Sequence, residues 1–241
     1  MAFDPRSTVQ GRTVDRAYAA DIDAGLRAYM LRVYNYMAMG VALTGIVAYA
    51  IALNPALMQT IAVGPFKWVL FIGILALGWF SPRIMFSGST GMAHGAYWLY
   101  AGLWGALIAP MTYMYTGESI ARVFFITAAA FAGTSLYGYT TKKDLSTMGR
   151  FLAMSTIGIL IAVLLNAFIF QSGGFHLILS VVVVLVFAGL TAYETQSIKE
   201  MYVSSEDGEM TQRKAIFGAF MLYGSFVTMF VWLLSIFGNR N

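Results

Sequence analysis

The chain has 241 residues, of which 59% are hydrophobic and only 11% charged, with mean hydropathy +0.70. An ordinary soluble domain carries about 25% charged residues, so this composition excludes a soluble enzyme, a nucleic-acid-binding domain and a disordered protein, and points to a membrane protein, all-α by the length of its apolar runs. Cysteine is absent, which removes disulfides, thiolate metal sites and thiol nucleophiles, and the net charge of +4 is read first as topology.

Residues 1–32 form a polar tail. Within it Tyr18, Ile22, Leu26, Tyr29 and Val33 recur at helical spacing beside Arg16, Arg27 and Arg32. That pattern fits a short amphipathic helix on the cytoplasmic surface, the alternative being an unstructured tail. The first apolar run begins only at Val33, so the tail does not read as a signal peptide, and the chain divides into 1–32 and a membrane domain, 33–241.

A helix needs about 20 apolar residues to cross a hydrocarbon core of about 30 Å. Seven segments qualify: Val33–Leu53, Phe66–Phe86, Gly95–Tyr115, Ile120–Tyr139, Phe151–Phe170, Phe175–Ser197 and Ile216–Phe237. Asn54-Pro55 ends the first, and Ser172-Gly173-Gly174 turns the fifth into the sixth. Pro82 and Pro110 read as kinks in or near spans two and three. Six spans with one re-entrant or interfacial helix is the alternative, span two being the weakest.

Charge favours seven. With the N-terminus inside, the cytoplasmic segments hold Arg6, Arg12, Arg16, Arg27, Arg32, Arg83, Lys142, Lys143, Arg150, Lys199, Arg213 and Lys214, against Lys67, Arg122 and Arg240 outside. This bias fits a cytoplasmic N-terminus and an external C-terminus. Small residues four apart in and near spans three and four (Gly91/Gly95, Gly102/Ala106, Gly105/Ala109, Ala129/Gly133) predict close helix packing.

One acidic residue, Glu194, lies inside an apolar run, near the inner end of span six. A carboxylate there is either functional or snorkelling to the interface. Arg83 ends span two on the same side, as a partner for Glu194 or as one more positive-inside charge. His94 and His176 fall at opposite ends of their spans and cannot share a metal. Ser135 and His176 do not make an intramembrane serine protease: Ser135 lies about 22 Å deep at helical rise, His176 is at the outer surface, and Leu136 stands where that motif has glycine. The last span has no lysine for a retinal Schiff base. No cofactor motif is present, and an enzyme is not expected.

Three strings then carry a resemblance: YGYTTKKDL (Tyr137 to Leu145), GLTAYETQ (Gly189 to Gln196) and LYGSFVT…LLSIFGNRN (Leu222 to Asn241), with RAYMLRVYNYMAMG (Arg27 to Gly40) at the start. Together they resemble the Bax inhibitor-1 family, in its bacterial YccA/YbhL-like branch. The resemblance implies six helices wrapped around a central seventh, a bacterial inner-membrane location, and a pH-sensitive calcium leak. It also implies an alternative, in which some members restrain a membrane-anchored AAA protease.

In the family's leak mechanism two aspartates of spans six and seven share a proton, assisted by an arginine of span two. Matched by position, these fall on Glu194, Ser225 and Arg83. Ser225 keeps an oxygen and loses the charge, and Gly224 beside it replaces a bulky residue, which implies loose packing there. The ligands expected are therefore a proton and at most a transient calcium ion at Glu194, with no resident cofactor. Calcium favours about 6–8 oxygen ligands, so one carboxylate and one hydroxyl make a weak site. The acidic stretch Ser204 to Glu209 reads as a solvated connector or a partner site.

Overall fold

The computed structural model describes residues 5–240, with side chains described from Asp23 onward. Its elements are helices: α1 (Pro5–Ala52), α2 (Pro55–Ala62), α3 (Phe66–Ser87), α4 (Thr90–Ile108), α5 (Met111–Met114), α6 (Gly117–Thr140), α7 (Ser146–Leu165) with a π turn over Asn166–Phe170, α8 (Gly173–Glu200) and α9 (Gly208–Phe237).

The expected boundary at residue 32 lies inside α1, which runs unbroken for 48 residues. No proline falls between Pro5 and Pro55 to interrupt it. Of the proposed amphipathic face, the side chains of Tyr18 and Ile22 lie outside the described residues. Tyr29 and Val33 are buried, Tyr29 with its ring 5.5 Å from that of Tyr202. This part of the face therefore packs on the protein itself, in place of the membrane surface.

The two prolines behave differently. Pro82 sits within α3 without ending it. Its missing N–H deprives the Gly78 carbonyl of a partner, and the Ser81 hydroxyl donates to that carbonyl instead at 2.9 Å. Pro110, read from sequence as a kink, instead ends α4 and caps the short α5, since its nitrogen cannot donate to Ala106 and its ring crowds that carbonyl.

Asn54 does more than stop α1. Its side chain accepts from the amides of Ala56 and Leu57 at 3.1 and 3.2 Å and so starts α2. Between the fifth and sixth spans the left-handed residue is Gln171, at φ 46°, ahead of the glycines. Ser172 caps α8 through the Phe175 amide.

Six helices are long and apolar enough to cross a membrane: Asp23–Ala52 of α1, α3, α6, Ser146–Phe170, α8 and α9. The third expected span corresponds to α4, whose His94, Tyr97, Trp98, Tyr100 and Trp104 lower its hydropathy. Both ends of the α4–α5 segment nevertheless meet both ends of α9. Gln212 lies 3.2 Å from the His94 ring nitrogen, and Arg213 donates to the Gly88 carbonyl at 2.8 Å. At the far end the Thr116 amide donates to the Asn239 carbonyl at 3.1 Å, beside an isolated bridge between Tyr115 and Arg240.

Helix α9 packs against α1, α3, α4, α6 and α8, whereas α7 leans on α8. The expected ring of six is thus five close neighbours with α7 outside them. The interior is lined by Met85, Tyr97, Ile216, Leu222, Tyr223 and Met229, all fully buried. Of the small residues expected at helix contacts, Gly105 is one: a Cβ there would lie 2.8 Å from the Thr44 carbonyl oxygen and from Val47 Cβ. Gly95, Gly102 and Gly133 face open space, so spacing alone overstated the packing of that stripe.

Candidate functional site

Glu194 and Ser225 meet on the seam between α8 and α9. The Ser225 hydroxyl, buried on α9, donates to Glu194 Oε2 at 2.7 Å. The seam is tight one helical stretch away, where a Cβ on Gly218 would lie 2.9 Å from Ile198 Cγ2. Beside the pair, the space that Gly224 was expected to leave loose is filled. A Cβ there would lie 3.2 Å from the Tyr100 hydroxyl, and the Tyr100 ring stacks on Phe220 at 4.1 Å and meets Tyr223 edge-on at 5.6 Å.

Two further polar clusters flank the pair. In one, Ser135 is bonded to the Tyr34 hydroxyl at 2.7 Å and to the Thr195 hydroxyl at 2.9 Å, and Thr195 donates to the Thr191 carbonyl. This joins α1, α6 and α8. In the other, Thr44 and Tyr223 share a 2.5 Å hydrogen bond, Thr44 lies within bonding distance of the Gly40 and Ala101 carbonyls, and Tyr97 donates to the Tyr36 carbonyl at 2.7 Å. In these two clusters the hydroxyls find partners across helices, as a medium without water favours.

Arg83 is not brought to Glu194. It is exposed at the end of α3, its carbonyl accepts from the Ser87 hydroxyl, and the one ion pair among the described residues joins Lys214 to Glu206 at 2.6 Å. His176 is distant from Ser135 in the fold as in the sequence reading, its ring stacked on Trp232 at 5.3 Å. Within the acidic stretch, Glu206 holds Lys214, and Asp207 caps α9 through the Met210 amide at 2.6 Å. Among the described residues no group of three or more His, Cys, Asp or Glu comes together to hold a metal.

The strings singled out in the sequence are physically interlocked. A Cβ on Gly138 would run into the Ala192 backbone, so α6 and α8 touch main chain to main chain. Gln196 accepts from the Leu145 amide at 2.8 Å and donates to the Lys143 carbonyl at 2.9 Å. Lys199 donates to the Tyr139 carbonyl at 3.0 Å and lies 5.1 Å over the Tyr139 ring. The exposed Asp144 accepts from the Ser146 amide at 2.8 Å, and the Ser146 hydroxyl and amide hold its carboxyl below the usual carboxylate range. Tyr100, Thr44, Tyr223 and Thr195 were missed from sequence. The signal for Tyr100 was the run of aromatic rings in α4, Tyr97, Trp98, Tyr100 and Trp104.

A helical bundle with six helices long and apolar enough to cross a bilayer, large apolar residues exposed on its outside and hydroxyls bonded between its helices is a multi-pass membrane protein. Residues 26–241 match the family of inhibitors of apoptosis-promoting Bax1, and the chain belongs to this Bax inhibitor-1 family. It is 40% identical over 228 residues to the protein RP147 of Rickettsia prowazekii, covering 91% of this chain and 92% of that one. It is 39% identical over 221 residues to the inner membrane protein YbhL of Escherichia coli, covering 90% and 94%. A protein of Caulobacter vibrioides is 38% identical over 230 residues, covering 91% and 92%. With six helices fit to cross a bilayer, its place is the bacterial inner membrane.

Proposed function

We propose that this protein is a cation leak of seven crossings, with the α8–α9 contact between Glu194 and Ser225 as its gate. The observation that carries the reading is the 2.7 Å bond from Ser225 to Glu194, which puts in direct contact the two positions where the resemblance implies a carboxylate pair. Two adjacent carboxylates share a proton because both cannot ionise cheaply. With serine in place of one, the link is an ordinary hydrogen bond: the hydroxyl donates to the carboxylate and can accept from the neutral acid. One carboxylate and one hydroxyl are too few oxygens to retain calcium, which suits passage better than storage.

The seventh crossing is α4. Its 19 residues span about 28 Å at helical rise, and the α4–α5 segment meets α9 at both of its ends. Tyr97, Tyr100 and Ala101 face inward, which accounts for an apolar span of modest hydropathy. The bias of basic residues then puts the N-terminus in the cytoplasm and the C-terminus outside.

Purified protein in liposomes is expected to pass calcium, with Glu194→Gln changing the rate or its pH dependence severalfold and Arg83→Ala changing it less. Ser225→Asp is expected to steepen the pH dependence by restoring two carboxylates. Wild-type flux equal to that of empty liposomes across about pH 5 to 8 would overturn the reading.

One observation favours a second reading, a non-transporting modulator of a membrane-anchored protease. Helix α1 begins at Pro5, well ahead of the apolar run that starts at Val33, and so offers backbone outside the bilayer to a partner. Here, deletion of residues 1–20 abolishes co-purification of the protease while Glu194→Gln is silent.

A further inference from the structure

Helices α1 and α6 are not among the closely packed pairs of the bundle, and a cleft of about 490 Å³ separates them. We propose that this cleft holds one acyl chain of an anionic phospholipid whose phosphate sits on Arg27.

The walls are apolar over most of their length. Leu31 on α1 and Leu136 on α6 are 57% and 63% exposed, and Phe131, which also lines the cleft, is buried. At its inner limit the Tyr34–Ser135 hydrogen bond of 2.7 Å ties the two helices together, so the cleft is a blind slot and not a gap through the bundle. From Arg27 to Tyr34 on one wall the slot runs about 10 Å at helical rise, long enough for part of an acyl chain.

The mouth is basic. Arg27 lines it and is exposed, and the α6 wall leads directly to Lys142 and Lys143, also exposed, just past the end of α6. Two carboxylates stand near these cations, Asp144 beside Lys143, which accepts from the Ser146 amide, and Asp23 one helical turn before Arg27, and the basic groups still outnumber them. A guanidinium at headgroup level above an apolar slot is complementary to a phosphate carrying a hydrocarbon tail. A zwitterionic lipid matches the slot but forfeits part of the charge attraction. The inference does not require ion conduction: the slot lies between α1 and α6 and meets α8 only through the Ser135–Thr195 hydrogen bond, whereas the Glu194–Ser225 bond lies on the α8–α9 seam.

The test is lipid retention by the intact protein, delipidated in detergent and titrated with phosphatidylglycerol or with phosphatidylcholine of the same chains, read by native mass spectrometry. Wild type is expected to hold one phosphatidylglycerol severalfold more tightly than phosphatidylcholine. Arg27→Gln should erase that preference while leaving weak binding of both. Ala132→Phe, which fills the slot from an exposed position on α6, should lower retention of both lipids. Equal retention of the two lipids by wild type overturns the proposal, as does a preference unchanged in Arg27→Gln. Should Ala132→Phe not yield folded protein, the charge variant alone decides.

Discussion

Helices α7 and α9 are both membrane-crossing segments, yet they are built on opposite plans. The most apolar stretch of Ser146–Phe170 has hydropathy 2.3 and is 6% buried, while that of α9 has hydropathy 1.9 and is 50% buried. In water the more hydrophobic helix would be the inner one. In lipid the apolar helix is content at the periphery, and the interior goes to the helix whose serine, tyrosine and glycines can engage its neighbours. The functional candidate follows the same division, since Ser225 lies on α9 and Glu194 on the face of α8 that meets it.

The comparison is broken most directly with glycines. Gly138→Leu drives a side chain into the Ala192 backbone, whereas Gly158 on α7 has nothing near its Cβ position. Overpacking of well-packed sites typically costs about 1–3 kcal/mol or more, and backbone contact offers little relief. Gly138→Leu is therefore expected to abolish recovery of monodisperse protein, while Gly158→Leu leaves the melting temperature in detergent nearly unchanged. Equal effects at both positions would erase the distinction between core and periphery.

A smaller effect is expected from Tyr223→Phe, which removes the bond to Thr44 on α1. Interhelical hydrogen bonds in membranes are worth about 0.6 kcal/mol on average and up to about 1.7, so a modest fall in thermal stability is expected. Tyr137→Phe, at an exposed position, serves as the control and should be silent.

The smallest effect concerns the entry to α7. Because its neighbours hold the Asp144 carboxyl below its usual range, the stabilisation is present above the unfolded-state value and is lost as pH falls through the lowered folded-state value. Thermal stability of Asp144→Asn should therefore lie slightly under that of wild type at neutral pH, and the difference should close in strong acid. A difference that grew on acidification would reverse the sign of this interaction.

Six of the seven expected crossing segments were legible from hydropathy because length and apolarity are local properties. Glu194 was legible for the same reason, as a single acid in an apolar run. The rest depended on neighbours. Pro82 and Pro110 look alike in sequence, and what separates them is the hydroxyl of Ser81 standing one residue before the first. Gly224 read as a void because the Tyr100 ring that fills it comes from a helix more than a hundred residues earlier. Arg83 read either as a partner for Glu194 or as one more positive-inside charge, and its exposed position near the end of α3 leaves the serine of α9 as the hydrogen-bond partner of Glu194. The small-residue stripe failed at Gly95, Gly102 and Gly133 because spacing on one helix does not say whether another helix is there.

The position of α9 also has a consequence for how the protein is made. It follows in the chain every helix it packs against, and chains emerge from the ribosome N-terminal end first. The earlier helices are thus in the bilayer before the surface they share exists. During that interval Thr44 keeps carbonyl neighbours on α1 and α4, but its tyrosine partner has yet to arrive. Insertion of α9 is then less an addition to a finished bundle than the event that completes the contacts of the helices before it. Once in place, that helix is fastened by the strand-like contact at Tyr115 and Arg240.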